Sequence, residues 1–364
     1  MAKVRRRTWL TSAGEPRQAW IADYFDQGGK RHQKAFPTRK AADAYLVEAR
    51  HQVARGVHTA DSESPTVAEA AAEWLRRARA DGLEPSTLRQ YDHRVRLHIL
   101  PLIGETKLSK LTAPVVEEYR SRLLETRSRT MAQRVLTTFK AIVADAARHG
   151  RIAHNPARDA RPIRIAARYR KVVEIPTRPE LQAMLASATG RLHPFIMTAA
   201  LTGLRASELR GLEWLAVDFE TAVLHVRQRA DERGMIGKVK SGAARRSIPL
   251  PPMLATTLKA WKLRCPPGAF VFPNGAGKVE SHQNIMRREL QPLLDKLGLK
   301  HYGLHAFRHF CASWWIDQGL GIKRVSALLG HSSISLTADT YGHLFPAEDD
   351  AERFAAAERA LLLA

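Results

Sequence analysis

The chain has 364 residues, more than one compact core usually serves, so two or three domains are expected. Its 58 Lys and Arg against 36 Asp and Glu give a formal charge of +22, which points to a polyanion partner, most often nucleic acid. Cys265 and Cys311 stand apart with no CxxC and no Cys/His run, which argues against a zinc site or a disulfide framework and fits a reducing cytoplasm. No apolar stretch is long enough to span a bilayer, and the basic start MAKVRRRTWLTSAGEP lacks the apolar core of a signal peptide.

Residues 1–60 read as a small separate module. RRRTWLTS and AWIADYFD have the aromatic and β-branched content of strands, Gly28-Gly29 supplies a tight turn, and KRHQKAF returns as a third strand. Ala42, Tyr45, Leu46, Ala49 and Val53 then recur at helical spacing, with Gly56 closing the helix. Arg5, Arg6, Arg7, Lys30 and Arg31 would decorate the sheet, either as a solvated basic face or as DNA contacts, since strands can enter a major groove.

DSESPT reads as a linker, and an all-helical segment follows over 66–156. Val67, Ala70, Ala71, Trp74 and Leu75 make one apolar stripe, and Ser86 can cap the next helix, with Leu88, Tyr91, Val95 and Ile99 facing inward. Pro101 and Gly104 break the pattern, Val115 to Leu123 mark a third helix, and Val135 to Ala146 a fourth that Gly150 ends. The outward residues include Arg89, Arg94, Arg134 and Lys140, so the bundle offers a basic face to DNA or simply carries ordinary surface charge. Residues 157–176 are rich in arginine with little periodicity and read as an interdomain linker that tracks phosphate.

Thr177 and Glu180 form a capping box that opens a domain over 177–346. Helices are expected at about 180–188, 192–202 and 205–213. VLHVRQ, GMIGKVK and ARRSIPLP then read as one short antiparallel sheet with Lys240-Ser241-Gly242 at a hairpin. Helices resume near Met253, near Gln283 and from His305. Over 347–364, Phe354, Ala357 and Leu361 form a single apolar stripe that must dock on its own domain or on a neighbouring protomer. The fold class is multidomain α+β: a three-stranded sheet with a helix, a helical domain, and a mainly α domain with a small antiparallel sheet.

Two stretches carry chemistry, ALTGLRASELRGL and LHAFRHFCASWWIDQGLGIKRVSALLGHSSISLTADTYGHL. Breaking a phosphodiester gathers negative charge on the non-bridging oxygens, and arginine supplies fixed bidentate donors for it. Arg205 and Arg308 are the candidates, and Glu208, three residues after Arg205, can orient it or form a plain ion pair. Lys240 is the candidate acid for the leaving 5′ oxygen, with Lys238 as runner-up. His305 and His331 can share the nucleophile's proton and hydrogen-bond the phosphate. Tyr341, ten positions after His331 in a polar stretch poor in core-forming residues, is the candidate nucleophile. Paired carboxylates at a spacing suited to Mg²⁺ are missing from this half, and so is a P-loop, so neither a metal nor a nucleotide cofactor is indicated.

In this order TGLRASELRGL, VKSGAARRSIPL, LHAFRH, LLGHSS and DTYGHL resemble the tyrosine recombinase (phage integrase) family over about Thr177 to Phe345. PLIGETKLSKLTAPVVEEY and HNPA are similar to its helical core-binding domain, and the first sixty residues to the arm-binding module of phage and integrative-element integrases. The sequence departs at Phe307, where leucine is commoner, and His301 and His343 carry no assigned role. The resemblance implies that Arg205, His305, Arg308 and His331 activate the scissile phosphate, Lys240 protonates the leaving 5′-hydroxyl, and Tyr341 forms a 3′-phosphotyrosyl link. It also implies double-stranded attachment sites, a homotetramer on synapsed DNA, and a directionality factor or DNA-bending protein as a candidate helper. A type IB topoisomerase-like enzyme and a non-catalytic DNA-binding regulator are the competing readings.

Overall fold

The computed structural model describes residues 2–54, 60–61, 63–163, 174–239, 242–344 and 358. The chain divides into two compact units, Met1–Arg170 and Lys171–Ala364.

The first unit begins with an antiparallel sheet of order β1-β2-β3, from Lys3–Leu10, Pro16–Phe25 and Arg31–Phe36. Helix α1 (Arg39–Ala54) places Ala42, Leu46 and Ala49 against Ala22 and Tyr24, a small core of the kind the sequence predicts. The second turn closes through Asp26, whose backbone N–H bonds Lys30 O at 3.0 Å and whose Oδ1 accepts from Lys30 N at 2.9 Å. Gly56 lies outside the described residues.

The helical part of this unit comprises α2 (Val67–Ala80), α3 (Pro85–Arg94), a π-helical turn (Val95–Ile99), α4 (Leu100–Ile103), α5 (Ala113–Thr126) and α6 (Arg129–Arg148). Val67, Val95, Ile99, Val116, Leu123, Val135, Phe139 and Ile142 meet in its core. Two local expectations are corrected. Ser86 is not a cap: Glu84 takes the N-cap position and Pro85 the first helical one, where a missing N–H costs nothing. Pro101 does not break the helix, because the widened turn just before it absorbs the hydrogen bond that proline cannot make, and the helix runs on to Ile103. Ala157, Ala160 and Ile163, expected in a linker, are buried in this core. Asp61 is tied down too, its carboxylate to Lys34 at 2.5 Å and its carbonyl to Lys107 at 2.6 Å.

In the second unit Thr177 and Glu180 form the expected capping box on α7 (Arg178–Ser187), and α8 (Leu192–Thr202) is buried on nearly every side. The next helix, α9, is one short turn, Ala206–Arg210, not a helix reaching 213. Gly211, which follows it, lies close against the chain at Arg229 and Ala230: a Cβ there would sit 2.7 Å from Ala230 N. The single sheet is likewise corrected to two. β4 (Val217–Asp218), β5 (Val223–Val226) and β8 (Arg246–Pro249) form one, of order β4-β5-β8, while β6 (Gln228–Ala230) and β7 (Ile236–Lys238) form the other around a turn at Asp231–Met235. Lys240 and Ser241 fall outside the described residues.

Helix α10 (Pro252–Lys262) precedes α11 (His282–Asn284), a second π turn (Ile285–Leu290) and α12 (Gln291–Lys296), again with a proline just after the wide turn. Three α-helices follow, α13 (Leu304–Asp317), α14 (Ile322–Leu329) and α15 (Ile334–Tyr341), the last running into a 3-10 turn over Gly342–Leu344. The expected helix over 347–364 lies outside the described residues, apart from Glu358. Among the described residues no helix is long and apolar enough to cross a membrane.

Candidate active site

The site is assembled around the C-terminal end of α14. The last carbonyls of a helix lack intrahelical partners and carry the negative end of its dipole. Here three arginines from three other elements fill that role. Arg246 Nε on β8 donates to Leu328 O at 2.6 Å, Arg308 Nη2 on α13 to Leu329 O at 2.7 Å, and Arg205 Nη2, at the N-cap of α9, to Gly330 O at 2.9 Å. Arg308 Nη1 also bonds Gly203 O at 2.6 Å. Gly330 turns the chain with φ 66°, a conformation that favours glycine, and a Cβ there would lie 2.9 Å from Arg246 Nη1.

Glu208, 3% exposed, sits behind this group. Its carboxylate accepts from Arg205 N at 2.9 Å and Nη1 at 2.8 Å, and from Arg246 Nη2 at 2.8 Å and Nη1 at 3.2 Å. Burial alone would raise the carboxyl's pKa, but the Arg246 hydrogen bonds and charge, with those of Arg205, outweigh it and hold the pKa below the usual range. Arg308 is equally enclosed. Burial first, then repulsion from Arg205, brings its pKa down to about 10, so it stays charged at neutral pH. Arg205 remains partly open to solvent, beside a cavity of about 290 Å³ lined by Glu208, Gly330, Ser332 and Leu336.

His331 follows the Gly330 turn, and its Nδ1 lies 2.8 Å from Thr337 Oγ1 on α15. Burial, then Arg308, Arg205 and Arg246, lowers its pKa to about 4. His305 is exposed overall, yet the protein packed round it, then Arg308 and Arg205, lowers its pKa as well. Tyr341 closes α15. Although its sequence neighbours are polar, it is buried with Ala312, Ile316, Val325 and Leu329, and burial pushes its pKa up to about 12. Its hydroxyl lies 2.6 Å from Nδ1 of His309, an imidazole that burial, then His305 and Arg308, holds at about 4.

The structure therefore brings together Arg205, Glu208, Arg308, His331 and Tyr341, with His305 one turn before Arg308 and its ring 5.0 Å from that of His309. Lys240 cannot be placed, since it lies outside the described residues, and its runner-up Lys238 is exposed on β7. Sequence reasoning missed Arg246 and His309. Arg246 lies two residues before buried Ile248 on a strand, so it shares the inward face, and a charge on an inward face is a signal of a partnered role. His309 stands four residues after His305, on the same side of α13.

The DNA-contact candidates are scattered in kind. Arg5 and Arg7 stand opposite Ile21 and Ala19 on one face of the sheet, and Arg6 opposite Trp20 on the other. Arg31 is bonded to Asp23, with Nε to Oδ1 at 2.8 Å, Arg5 lies 3.8 Å from the same carboxylate, Arg6 bonds Gln18 and Lys30 bonds Glu63. Arg94 reaches Thr138 Oγ1 at 3.3 Å and Gln90 Oε1 at 3.0 Å, and Lys140 donates to the carbonyls of Arg158 and Ala160, both at 3.0 Å. Arg89 is half-buried, while Arg7 and Arg134 are exposed.

A family model described as "Phage integrase family" matches residues 177–348, and one for the "Phage integrase central domain" matches 67–162. The chain belongs to the phage integrase family of tyrosine recombinases. This recombinase is 26% identical over 358 residues to a "Tyrosine recombinase XerC-like" protein of Caldanaerobacter subterraneus subsp. tengcongensis, covering 88% of this chain and 90% of the relative. It is 29% identical over 366 residues to an "Integrase" of Streptomyces ambofaciens, covering 90% of each. Among solved structures, the Tn1549 transposon integrase in complex with a circular intermediate DNA shares the fold at TM-score 0.68 and 20% identity, over 82% of this chain and all of that one. A lambda integrase tetramer bound to a Holliday junction does so at TM-score 0.61 and 17% identity, over 90% of this chain and 96% of that one. The enzyme is a tyrosine-type site-specific recombinase, and the relatives named here are recombinases and integrases, not topoisomerases.

Proposed function

We propose that this recombinase integrates or excises a mobile element by cleaving and rejoining double-stranded DNA through a 3′-phosphotyrosyl intermediate. Arg205 and Arg308 take the non-bridging oxygens of the scissile phosphate, with His305 and His331 donating further hydrogen bonds. The Tyr341 phenol oxygen attacks phosphorus as its proton passes to the neutral imidazole of His309, 2.6 Å away, the bond to the 5′ oxygen breaks, and Lys240 protonates that oxygen. The ester keeps the bond energy, so a 5′-hydroxyl from another strand reverses the step without metal or nucleotide. Glu208 holds Arg205 from behind.

The observation that carries this reading is the arrangement at the end of α14. Arg308 and Arg205 bond the successive carbonyls of Leu329 and Gly330, the next residue is His331, and Tyr341 returns to Arg308's neighbour His309 at 2.6 Å. A phenol with a pKa of about 12 is protonated at neutral pH, so attack requires that its proton be taken up as the bond to phosphorus forms.

In the same proposal residues 1–60 contact arm-type DNA through Arg5, Arg6, Arg7, Lys30 and Arg31, and the helical domain contacts core DNA through Arg89, Arg94, Arg134 and Lys140. Exchange proceeds in a homotetramer, as the lambda integrase tetramer on a Holliday junction suggests by its fold. The test is covalent trapping on fragmented genomic DNA, with mapping of the modified residue by mass spectrometry. Wild-type protein is expected to carry DNA on Tyr341 and Tyr341→Phe to carry none while binding DNA equally. An adduct on another residue, or one formed by Tyr341→Phe, rejects the assignment.

A further inference from the structure

Arg246 has no part in the chemistry above, yet it is built into the centre of the site. Its side chain is 5% exposed. Its guanidinium joins three things at once: Leu328 O at 2.6 Å, Ala244 O at 3.1 Å, and both oxygens of Glu208 at 2.8 and 3.2 Å. The same carboxylate holds Arg205 by its backbone and its Nη1. An ammonium could not span a carboxylate and a carbonyl in this way, whereas the planar fork of arginine can. A buried cation on the inward face of a strand is also a costly way to fill space, since an apolar side chain beside Ile248 would avoid the desolvation penalty.

We propose that Arg246 is a positioning residue for strand cleavage. Through Glu208 it fixes the direction of the Arg205 guanidinium, and through Leu328 it fixes the turn that presents Gly330 O and His331. The inference rests on the proposed role of Arg205 and deepens it.

The test uses the full-length protein and a nicked duplex of the sequence that wild type captures covalently. The scissile linkage is made either as a phosphodiester or as a methylphosphonate, which carries no charge on its non-bridging atoms. The readout is the single-turnover rate of covalent complex formation, as the ratio of variant to wild type on each linkage. Arg205→Ala is expected to lose about 10²–10³-fold on the phosphodiester and markedly less on the neutral linkage, because an absent counter-charge no longer matters there. Arg246→Met is expected to follow the same pattern with a loss on the order of 10–100-fold, the size seen when a residue behind a ligand is removed, and DNA affinity within about twofold. Arg246→Lys should fall between, and it decides the question if Arg246→Met does not fold. Equal losses on the two linkages, or none, would make Arg246 a purely structural residue and overturn the inference. If Arg205→Ala itself ignores the linkage, the proposed role of Arg205 fails, and with it the ground for this inference.

Discussion

Replacing Glu208 by glutamine changes one oxygen to an amide nitrogen in a place where four donors converge. The carboxylate accepts bonds of 2.9, 2.8, 2.8 and 3.2 Å from two arginines. A glutamine keeps one acceptor oxygen and turns its NH₂ toward guanidinium donors, so at least part of the Arg246 pair is lost. Glu208 and Arg246 are 3% and 5% exposed at the side chain, so solvent does little to screen them. Breaking a buried pair from one side costs about 3–5 kcal/mol, because the remaining charge is left without its partner. The Arg205 contact, at 33% exposure, adds less than about 1 kcal/mol. Urea unfolding of the second unit's transition should therefore show a deficit of about 3–5 kcal/mol at pH 7. The pH dependence has a fixed sign. The folded carboxyl titrates below its ordinary value, so its contribution is present above the unfolded pKa and fades as pH falls through the folded one. The gap between wild type and Glu208→Gln should stay constant from pH 6 to 8 and close in acid, where both side chains are neutral. A gap under about 1 kcal/mol at pH 7, or one that widens on acidification, would refute the reasoning.

Gly330→Ala forces a left-handed φ of 66° on an alanine and drives a Cβ to within 2.9 Å of Arg246 Nη1. The backbone term alone is about 1–2 kcal/mol, a fall of roughly 2–8 °C in Tm by calorimetry, and an unchanged Tm would contradict the packing described. His309 should be neutral at pH 6 and titrate near about 4, followed by its ring proton shift in NMR with His309→Gln as the assignment control. A midpoint near 6.5 would mean that the burial of His309 and its nearness to His305 and Arg308 do not hold in solution. DNA affinity should fall steeply with salt, each neutralised phosphate adding about −0.9 to the log–log slope. Arg7→Ala and Arg134→Ala should each flatten that slope by about one contact in fluorescence anisotropy, whereas a flat wild-type response is incompatible with a phosphate-tracking surface.

The elements with strong local signals were legible in advance. The turn of the N-terminal hairpin, the capping box at Thr177 and the order of Arg205, His305, Arg308, His331 and Tyr341 all follow from residue types at fixed spacing. What escaped depends on partners distant in sequence. Pro101 breaks helices in isolation, and only a widened turn lets the chain run through it. VLHVRQ and GMIGKVK alternate equally well for one sheet or two, and the division falls inside VLHVRQ, with β5 on one sheet and β6 on the other. Lys140 reads as a surface cation, and nothing local in the sequence announces the carbonyls of Arg158 and Ala160 that its ammonium meets. Tyr341 sits among polar neighbours in sequence, while its apolar surroundings come from α13 and α14.

The guanidiniums lodged on Leu328, Leu329 and Gly330 have one further consequence. Mutual repulsion among them is met by these carbonyls together with the Glu208 carboxylate, so the cluster is held by the protein's own groups. The long side chains are already ordered before the polyanion arrives, and its arrival then demands little further loss of freedom from the protein.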